Sequence, residues 1–112
     1  MKHISPEELF AQARRLAKSS MEENINSVHW YPCGRAWVHI RPARGKFVSY
    51  LKENGIGRRD SYYGGYVVSA WDLTEIPGPM CQSMTLAEFI CRPVIDLFKE
   101  NGITASMGTW ID

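Results

Sequence analysis

Apolar residues recur at helical spacing near the start of the chain, on one face of a segment that begins at Ser5. The residues of this face are Leu9, Ala13, Leu16, Ala17 and Met21. Ser5 suits the N-cap position, Pro6 suits the first helical position, and Glu8 completes a capping box. The pattern therefore predicts an N-terminal helix that packs through one apolar face.

A second helix is predicted in the stretch SMTLAEFICRPVIDLFKENG. Thr85 is the expected N-cap, and Glu88 lies three residues later, as a capping box requires. Pro93 lies inside the stretch and has no backbone N–H, so we expect a kink or a late restart of the helix near Cys91 and Arg92.

The pentapeptide KENGI occurs twice, at Lys52–Ile56 and at Lys99–Ile103. In each copy a glycine follows a helical pattern, and an isoleucine follows the glycine. This order is typical of a Schellman helix ending, in which the glycine takes a left-handed conformation and the next apolar residue folds back onto the last turn. Since helix-ending chemistry accounts for both copies, a duplicated functional unit is not needed.

Alternation of polar and apolar residues predicts four strands. RAWVHIR places Ala36, Val38 and Ile40 on one face and leaves Arg35, Trp37, His39 and Arg41 on the other. RRDSYYGGYVVSAWDL reads as two strands joined by a tight primed turn at Gly64 and Gly65, and ITASMGTWID as the last strand.

The resulting order from Arg35 onward is β-α-β-β-α-β. We expect an α+β fold, namely a ferredoxin-like βαββαβ sandwich of a four-stranded antiparallel sheet and two helices, with an extra N-terminal helix. Right-handed crossovers are expected to place the first and last strands at the centre of the sheet.

Length and composition are those of a single domain. The 112 residues are 45% hydrophobic and 12% aromatic, with a net charge of +1. We expect one domain, 1–112, in which residues 1–27 form the N-terminal helix and a linker and residues 28–112 form the α+β core. The three cysteines are an odd number at irregular spacing, which favours reduced thiols. No membrane span or secretory signal is visible, so a cytoplasmic protein without a cofactor is expected.

Charge is distributed unevenly along the chain. Residues 33–59 carry seven basic side chains against the single acid Glu53. The basic residues are Arg35, Arg41, Arg44, Lys46, Lys52, Arg58 and Arg59. Residues 60–112 carry two basic and seven acidic side chains. The basic block suits an anion or an acidic protein surface, or simply a solvated face balanced by the acidic part of the same fold.

Aromatic and arginine residues mark a candidate partner-binding surface, because tryptophan, tyrosine and arginine dominate interface hot spots. The candidate contact residues are Trp30, Tyr31, Arg35, Trp37, Arg58, Arg59, Tyr62 and Tyr63. If the strands align, Trp110 shares the sheet face of Trp37 and His39, an arrangement by which RNA-recognition domains stack bases.

The alternative function is binding of a nucleotide or nucleic acid by the basic, aromatic segment 33–63. The candidate anion-binding residues are Arg41, Arg44, Lys46 and His39. RPARGK leads into a helix whose first amides are unpaired, but its spacing is not that of a phosphate-binding loop.

His29, Cys33 and His39 lack the paired spacing of a zinc site, and no nucleophile and base are visibly paired. We therefore predict neither a metal site nor an enzyme.

The run from Trp30 to Asp112 resembles a group of small uncharacterised proteins encoded by bacteriophages and other mobile elements. The matching segments are WYPCG, AWVHIRP, KFVSYLKENGI, RRDSYYGG, QSM and FKENGI. The resemblance implies a phage setting, in which small proteins often bind and block a host component. The leading hypothesis is a non-enzymatic protein that binds and inhibits a host protein in the host cytoplasm. A homodimer is compatible with an exposed edge strand.

Overall fold

The computed structural model describes residues 4–26, 34–74 and 83–111, which form four helices and one four-stranded antiparallel sheet. In chain order the elements are α1 (Pro6–Asn24), β1 (Gly34–Arg41), α2 (Lys46–Glu53), β2 (Arg58–Arg59), β3 (Tyr66–Ser69), α3 (Ala70–Thr74), α4 (Met84–Glu100) and β4 (Thr104–Ile111). The α+β class with a four-stranded antiparallel sheet is confirmed. The short helix α3 was not predicted.

The strands are ordered β4, β1, β3, β2 from one edge of the sheet to the other. β1 pairs with β4 over its whole length, from Gly34 opposite Ile111 to Arg41 opposite Thr104. Its other side pairs with β3. The prediction that the last strand is central is therefore wrong: β3 returns alongside β1, and this leaves β4 at the edge.

The N-termini of the two long helices are capped by serine. Ser5 Oγ accepts a hydrogen bond of 3.1 Å from the Glu8 amide, as predicted for α1. In α4 the N-cap is Ser83 rather than Thr85, because the buried Ser83 Oγ accepts from the Leu86 amide at 3.1 Å. α4 is continuous from Met84 to Glu100 through Pro93, so the helix does not restart near Cys91 and Arg92. The predicted kink at Pro93 stays a prediction.

Both KENGI segments end their helices as Schellman motifs, as predicted. The Ile56 amide donates to the Leu51 carbonyl and the Ile103 amide to the Phe98 carbonyl, each at 2.9 Å. Gly55 and Gly102 have φ of 67° and 79°, a left-handed conformation that costs glycine little. The two identical sequences therefore form the same local structure at two places in the fold.

The segment between β2 and α3 departs from the prediction in two ways. Residues 60–65 form a wider loop in place of a two-residue turn, because the Asp60 carboxylate accepts from the amides of Tyr62 and Tyr63. β3 ends at Ser69, where Ser69 and Asp72 form a reciprocal capping box with two hydrogen bonds of 3.0 Å. This capping box starts α3.

A single buried core joins one face of the sheet to the helices. Its strand residues include Ala36, Val38 and Ile40, and α1 contributes Leu9 and Phe10. α1 packs mainly against α4, with smaller contacts to α3 and α2. α1 thus adds to the helical side of the molecule and does not cover the opposite face of the sheet. None of the described helices has the length and apolar character that crossing a membrane would require.

Candidate functional site: a tryptophan and arginine cleft

The polar face of the sheet is the face that carries Arg35, Trp37, His39 and Arg41 of β1. The pairing register aligns these residues with β4: Trp110 lies opposite Arg35, and Gly108 lies opposite Trp37. On the other side, Ser69 of β3 lies opposite Trp37 and Val67 opposite His39. The prediction that Trp110 shares a face with Trp37 is therefore confirmed.

Gly108 allows the indole of Trp37 to lie against the backbone of β4. A Cβ atom built at Gly108 would overlap the indole nitrogen and the adjacent ring carbons of Trp37. No left-handed φ is involved at this position, so the requirement for glycine is purely steric. The indole of Trp37 consequently spans the β1 and β4 strands, diagonally adjacent to Trp110 on the same face.

A cleft of about 700 Å³ opens on this half of the polar face. We call it the tryptophan cleft; the side chains that define it are Arg35, Trp37, Arg58, Trp71, Asp72 and Trp110. Trp110 is 63% exposed, so its ring is available to a ligand. The Trp71 indole N–H is shielded from solvent and has no acceptor within the described residues. The volume of the cleft is in the range of ordinary ligand sites.

Among the described residues, the charged groups that line the tryptophan cleft are Arg35, Arg58 and Asp72. Asp72 is held by α3, since its carboxylate accepts from the Ser69 amide. The Arg58 side chain forms no hydrogen bond to another described residue, and Arg58 is exposed on the edge strand β2. The cleft therefore combines large aromatic surfaces with guanidinium groups, the two features most often found at binding hot spots.

His39 does not lie in the tryptophan cleft. It is 8% exposed, and its Nε2 atom donates to the Gly64 carbonyl at 2.7 Å. The Oδ2 atom of Asp60 lies 3.8 Å from the same nitrogen. A Cβ atom at Gly65 would come within 2.7 Å of the imidazole, so the backbone of the loop at 60–65 lies directly against the ring. His39 thus anchors the loop at 60–65 to β1.

Asp60 is the other anchor of this loop. Hydrogen bonds from the Tyr63 and Tyr62 amides, helped by His39 and Arg58, hold the pKa of the Asp60 carboxyl below its usual value. Oδ1 of the ionised carboxylate accepts both loop amides, and Oδ2 faces His39.

A second groove, of about 680 Å³, lies at the opposite end of the sheet. It contains Arg41 and Arg44 of the predicted anion-binding set together with Arg59 and Tyr63 of the predicted contact surface. Lys46 instead lines a shallow groove between α1 and α2. The predicted anion-binding residues are therefore spread over three environments, counting the buried His39.

The predicted contact surface is likewise divided. Arg35, Trp37 and Arg58 meet in the tryptophan cleft, whereas Arg59 and Tyr63 belong to the second groove. Tyr62 is 84% exposed beside Tyr63. Trp30 and Tyr31 lie outside the described residues, as do His29 and Cys33.

Trp71, Asp72 and Trp110 are cleft residues that the predicted contact set omitted. The spacing Ser69-x-x-Asp72 is a capping-box signal that would have predicted α3 and moved Trp71 out of the strand.

Comparisons of the chain with protein-family models, with curated proteins and with solved structures returned no match. Among the described residues, no three His, Cys, Asp or Glu side chains are grouped to hold a metal ion.

Proposed function

We propose that this chain is a small non-enzymatic binding protein, encoded by a phage or mobile element, that binds and inhibits a host protein. The observation that carries the proposal is the tryptophan cleft, in which Trp37 rests on Gly108 beside the exposed ring of Trp110. Rigid aromatic side chains next to arginines supply large contact area at a low cost in conformational entropy. We place the protein in the host cytoplasm, where the buried Cys91 stays a free thiol.

The chemistry of the cleft favours an acidic partner surface with a projecting apolar or aromatic side chain. Arg35 and Arg58 line the cleft, while the carboxylate of Asp72 accepts a hydrogen bond from the Ser69 amide. An acidic residue on the partner would complement the Arg58 guanidinium, and an apolar side chain would fill the space beside Trp110.

For the architecture, we propose a ferredoxin-like βαββαβ sandwich with α1 and α3 as additions. Support comes from the strand order β4, β1, β3, β2 with antiparallel neighbours, together with the two helical crossovers through α2 and α4. The two-residue length of β2 and the presence of α3 are departures from a regular sandwich.

Affinity capture followed by measurement with purified components tests the proposed function. The wild-type protein is expected to capture a host protein from nuclease-treated lysate and to lower that protein's activity in a direct assay. Trp110→Ala and Arg58→Ala are each expected to weaken the purified complex, with Trp110→Ala costing about 30-fold if the ring is a hot spot.

Arg92→Ala is the matched control, because Arg92 is an exposed arginine on α4, on the helical side of the molecule. Capture of nuclease-sensitive partners alone would refute the proposal, and so would equal losses of affinity in Arg58→Ala and Arg92→Ala.

The alternative function, nucleotide or nucleic-acid binding, is favoured by one separate observation, the second groove.

A further inference from the structure

The second groove lies about 20 Å from the tryptophan cleft along the sheet. Arg35 and Arg41 are six residues apart on β1, and a strand advances about 3.4 Å per residue. We call this second site the arginine groove and define it by Arg41, Ala43, Arg44, Arg59, Tyr63 and Thr104. It shares no lining residue with the tryptophan cleft, so an inference about it does not depend on the proposed host protein.

Three arginines from three different segments line the arginine groove. Arg41 ends β1, Arg44 lies in the loop before α2, and Arg59 belongs to the edge strand β2. No carboxylate lines the groove among the described residues, and Arg44 and Arg59 form no hydrogen bond or ion pair there. The adjacent acid, Asp60, accepts from the amides of Tyr62 and Tyr63 through Oδ1, and its Oδ2 lies 3.8 Å from His39 Nε2. The positive charge of the groove is therefore available to an anion.

The backbone on both sides of the arginine groove is held in place. Lys52 Nζ donates to the Ala43 carbonyl at 3.0 Å, which ties the loop before α2 to that helix. On the opposite side, Arg41 Nη2 donates to the Tyr63 carbonyl at 3.4 Å. A groove whose walls are already ordered loses less conformational entropy when it binds a ligand.

Tyr63 gives the arginine groove an aromatic wall. Its side chain is 71% exposed, and its ring packs edge-on against Tyr62 at a centroid distance of 4.7 Å. The edge contact orients the Tyr63 ring while leaving most of its surface in solvent. An exposed, oriented aromatic ring next to arginines is suited to stacking on a nucleobase.

We propose that the arginine groove binds a free nucleotide, with its phosphates held by Arg41, Arg44 and Arg59 and its base stacked on Tyr63. Guanidinium groups pair with phosphate oxygens in a bidentate manner, and three of them suit a chain of two or three phosphates. The groove volume of about 680 Å³ lies in the range of ordinary small-ligand sites.

Titration calorimetry of the full chain with ATP, inorganic triphosphate and a short single-stranded RNA tests the proposal. The measurement is made in about 0.15 M salt, where weak surface attraction is largely screened. ATP is expected to bind saturably at one site. Arg44→Ala and Arg59→Ala should each weaken ATP and triphosphate by about ten-fold, since each removes a charge-assisted contact.

Tyr63→Ala separates base stacking from phosphate binding. It should weaken ATP by about ten-fold and leave inorganic triphosphate unchanged. Arg92→Ala, Lys46→Ala and Trp110→Ala are controls outside the groove and should retain wild-type affinity for ATP. Circular dichroism should show that the groove variants stay folded, because the Arg44 and Arg59 side chains form no hydrogen bond or ion pair with another described residue.

Three results would each overturn the proposal. The first is the absence of saturable ATP binding. The second is an equal loss of ATP affinity in Arg92→Ala and Arg44→Ala. The third is binding of the RNA through the same arginines without binding of ATP. The last result would identify a nucleic-acid site. A failure of any kind here leaves the host-protein proposal standing, because that proposal is tested at the tryptophan cleft.

Discussion

The Ser20 hydroxyl of α1 donates a 2.6 Å hydrogen bond to the Phe89 carbonyl of α4. In an uninterrupted helix this carbonyl would accept from the amide four residues later, but residue 93 is a proline without an N–H. A side chain from the neighbouring helix thus replaces the missing donor, and it does so at the contact between α1 and α4.

Ser20→Ala is expected to lower the free energy of unfolding by about 1 kcal/mol, because it leaves the Phe89 carbonyl without this donor. In a Pro93→Ala background the new amide can donate to Phe89, so the same substitution should cost less there. Chemical denaturation of the four proteins measures the coupling, and equal costs in both backgrounds would contradict the role assigned to Ser20.

Gly55→Ala and Gly102→Ala should each destabilise the protein by about 1–2 kcal/mol. Both glycines have a left-handed φ, which costs an L side chain about 1–2 kcal/mol. No atom lies within 4 Å of a Cβ built at Gly55, so at that position the cost is that of the backbone alone. Gly102→Asn should cost less than Gly102→Ala, because asparagine tolerates this conformation better. Thermal unfolding should show this order; alanine variants as stable as the wild type would argue against the Schellman endings.

Gly108→Ala should displace the Trp37 indole from β4. The near-ultraviolet circular dichroism signal of Trp37 is identified by comparison with Trp37→Phe. In Gly108→Ala this signal should change, and the host protein should bind the tryptophan cleft more weakly. Ser106→Ala lies on the same face of the same strand and should leave the signal unchanged. An unaltered spectrum in Gly108→Ala would mean that the indole does not rest on Gly108.

Burial raises the pKa of the Cys91 thiol from its ordinary 9.0 to about 12. The protonated thiol is favoured in the folded state, so its stabilising contribution is complete below pH 9 and is lost as pH rises from there toward 12. Between pH 8 and pH 10 the stability of the wild type relative to Cys91→Ala should fall by about 1.4 kcal/mol.

Thiol labelling gives an independent check on Cys91. In a variant with Cys33 and Cys81 replaced by serine, the remaining thiol should react with a disulfide reagent only after denaturation. Rapid labelling of the native variant at neutral pH would show that Cys91 is accessible.

Among the described residues, β4 pairs on one side only, with β1, and its eight residues include no charged side chain. Unpaired edges of this kind invite pairing with another chain, so we expect weak self-association through β4 at high protein concentration. Ser106→Lys should reduce the association measured by light scattering, while Lys99→Ala outside the strand should not. A strictly monomeric wild type at all concentrations would refute this prediction.

Much of the fold was predictable from local sequence because its causes are local. The N-cap at Ser5 and the two Schellman endings each depend on contacts within six residues. The faces of β1 follow from alternation alone, whereas the shared face of Trp37 and Trp110 was conditional on the β1–β4 register. The cleft was only partly predictable, since Trp71 enters it from a helix that was interpreted as strand.

The sequence by itself determined the start of α1, the ends of α2 and α4 and which side chains share a face within a strand, because capping and pleating act between near neighbours in the chain. Tertiary structure alone decided that β3 takes the place next to β1, that Ser20 satisfies Phe89, and that the arginines divide between two sites. These features depend on contacts between residues far apart in sequence, for which local periodicity carries no information.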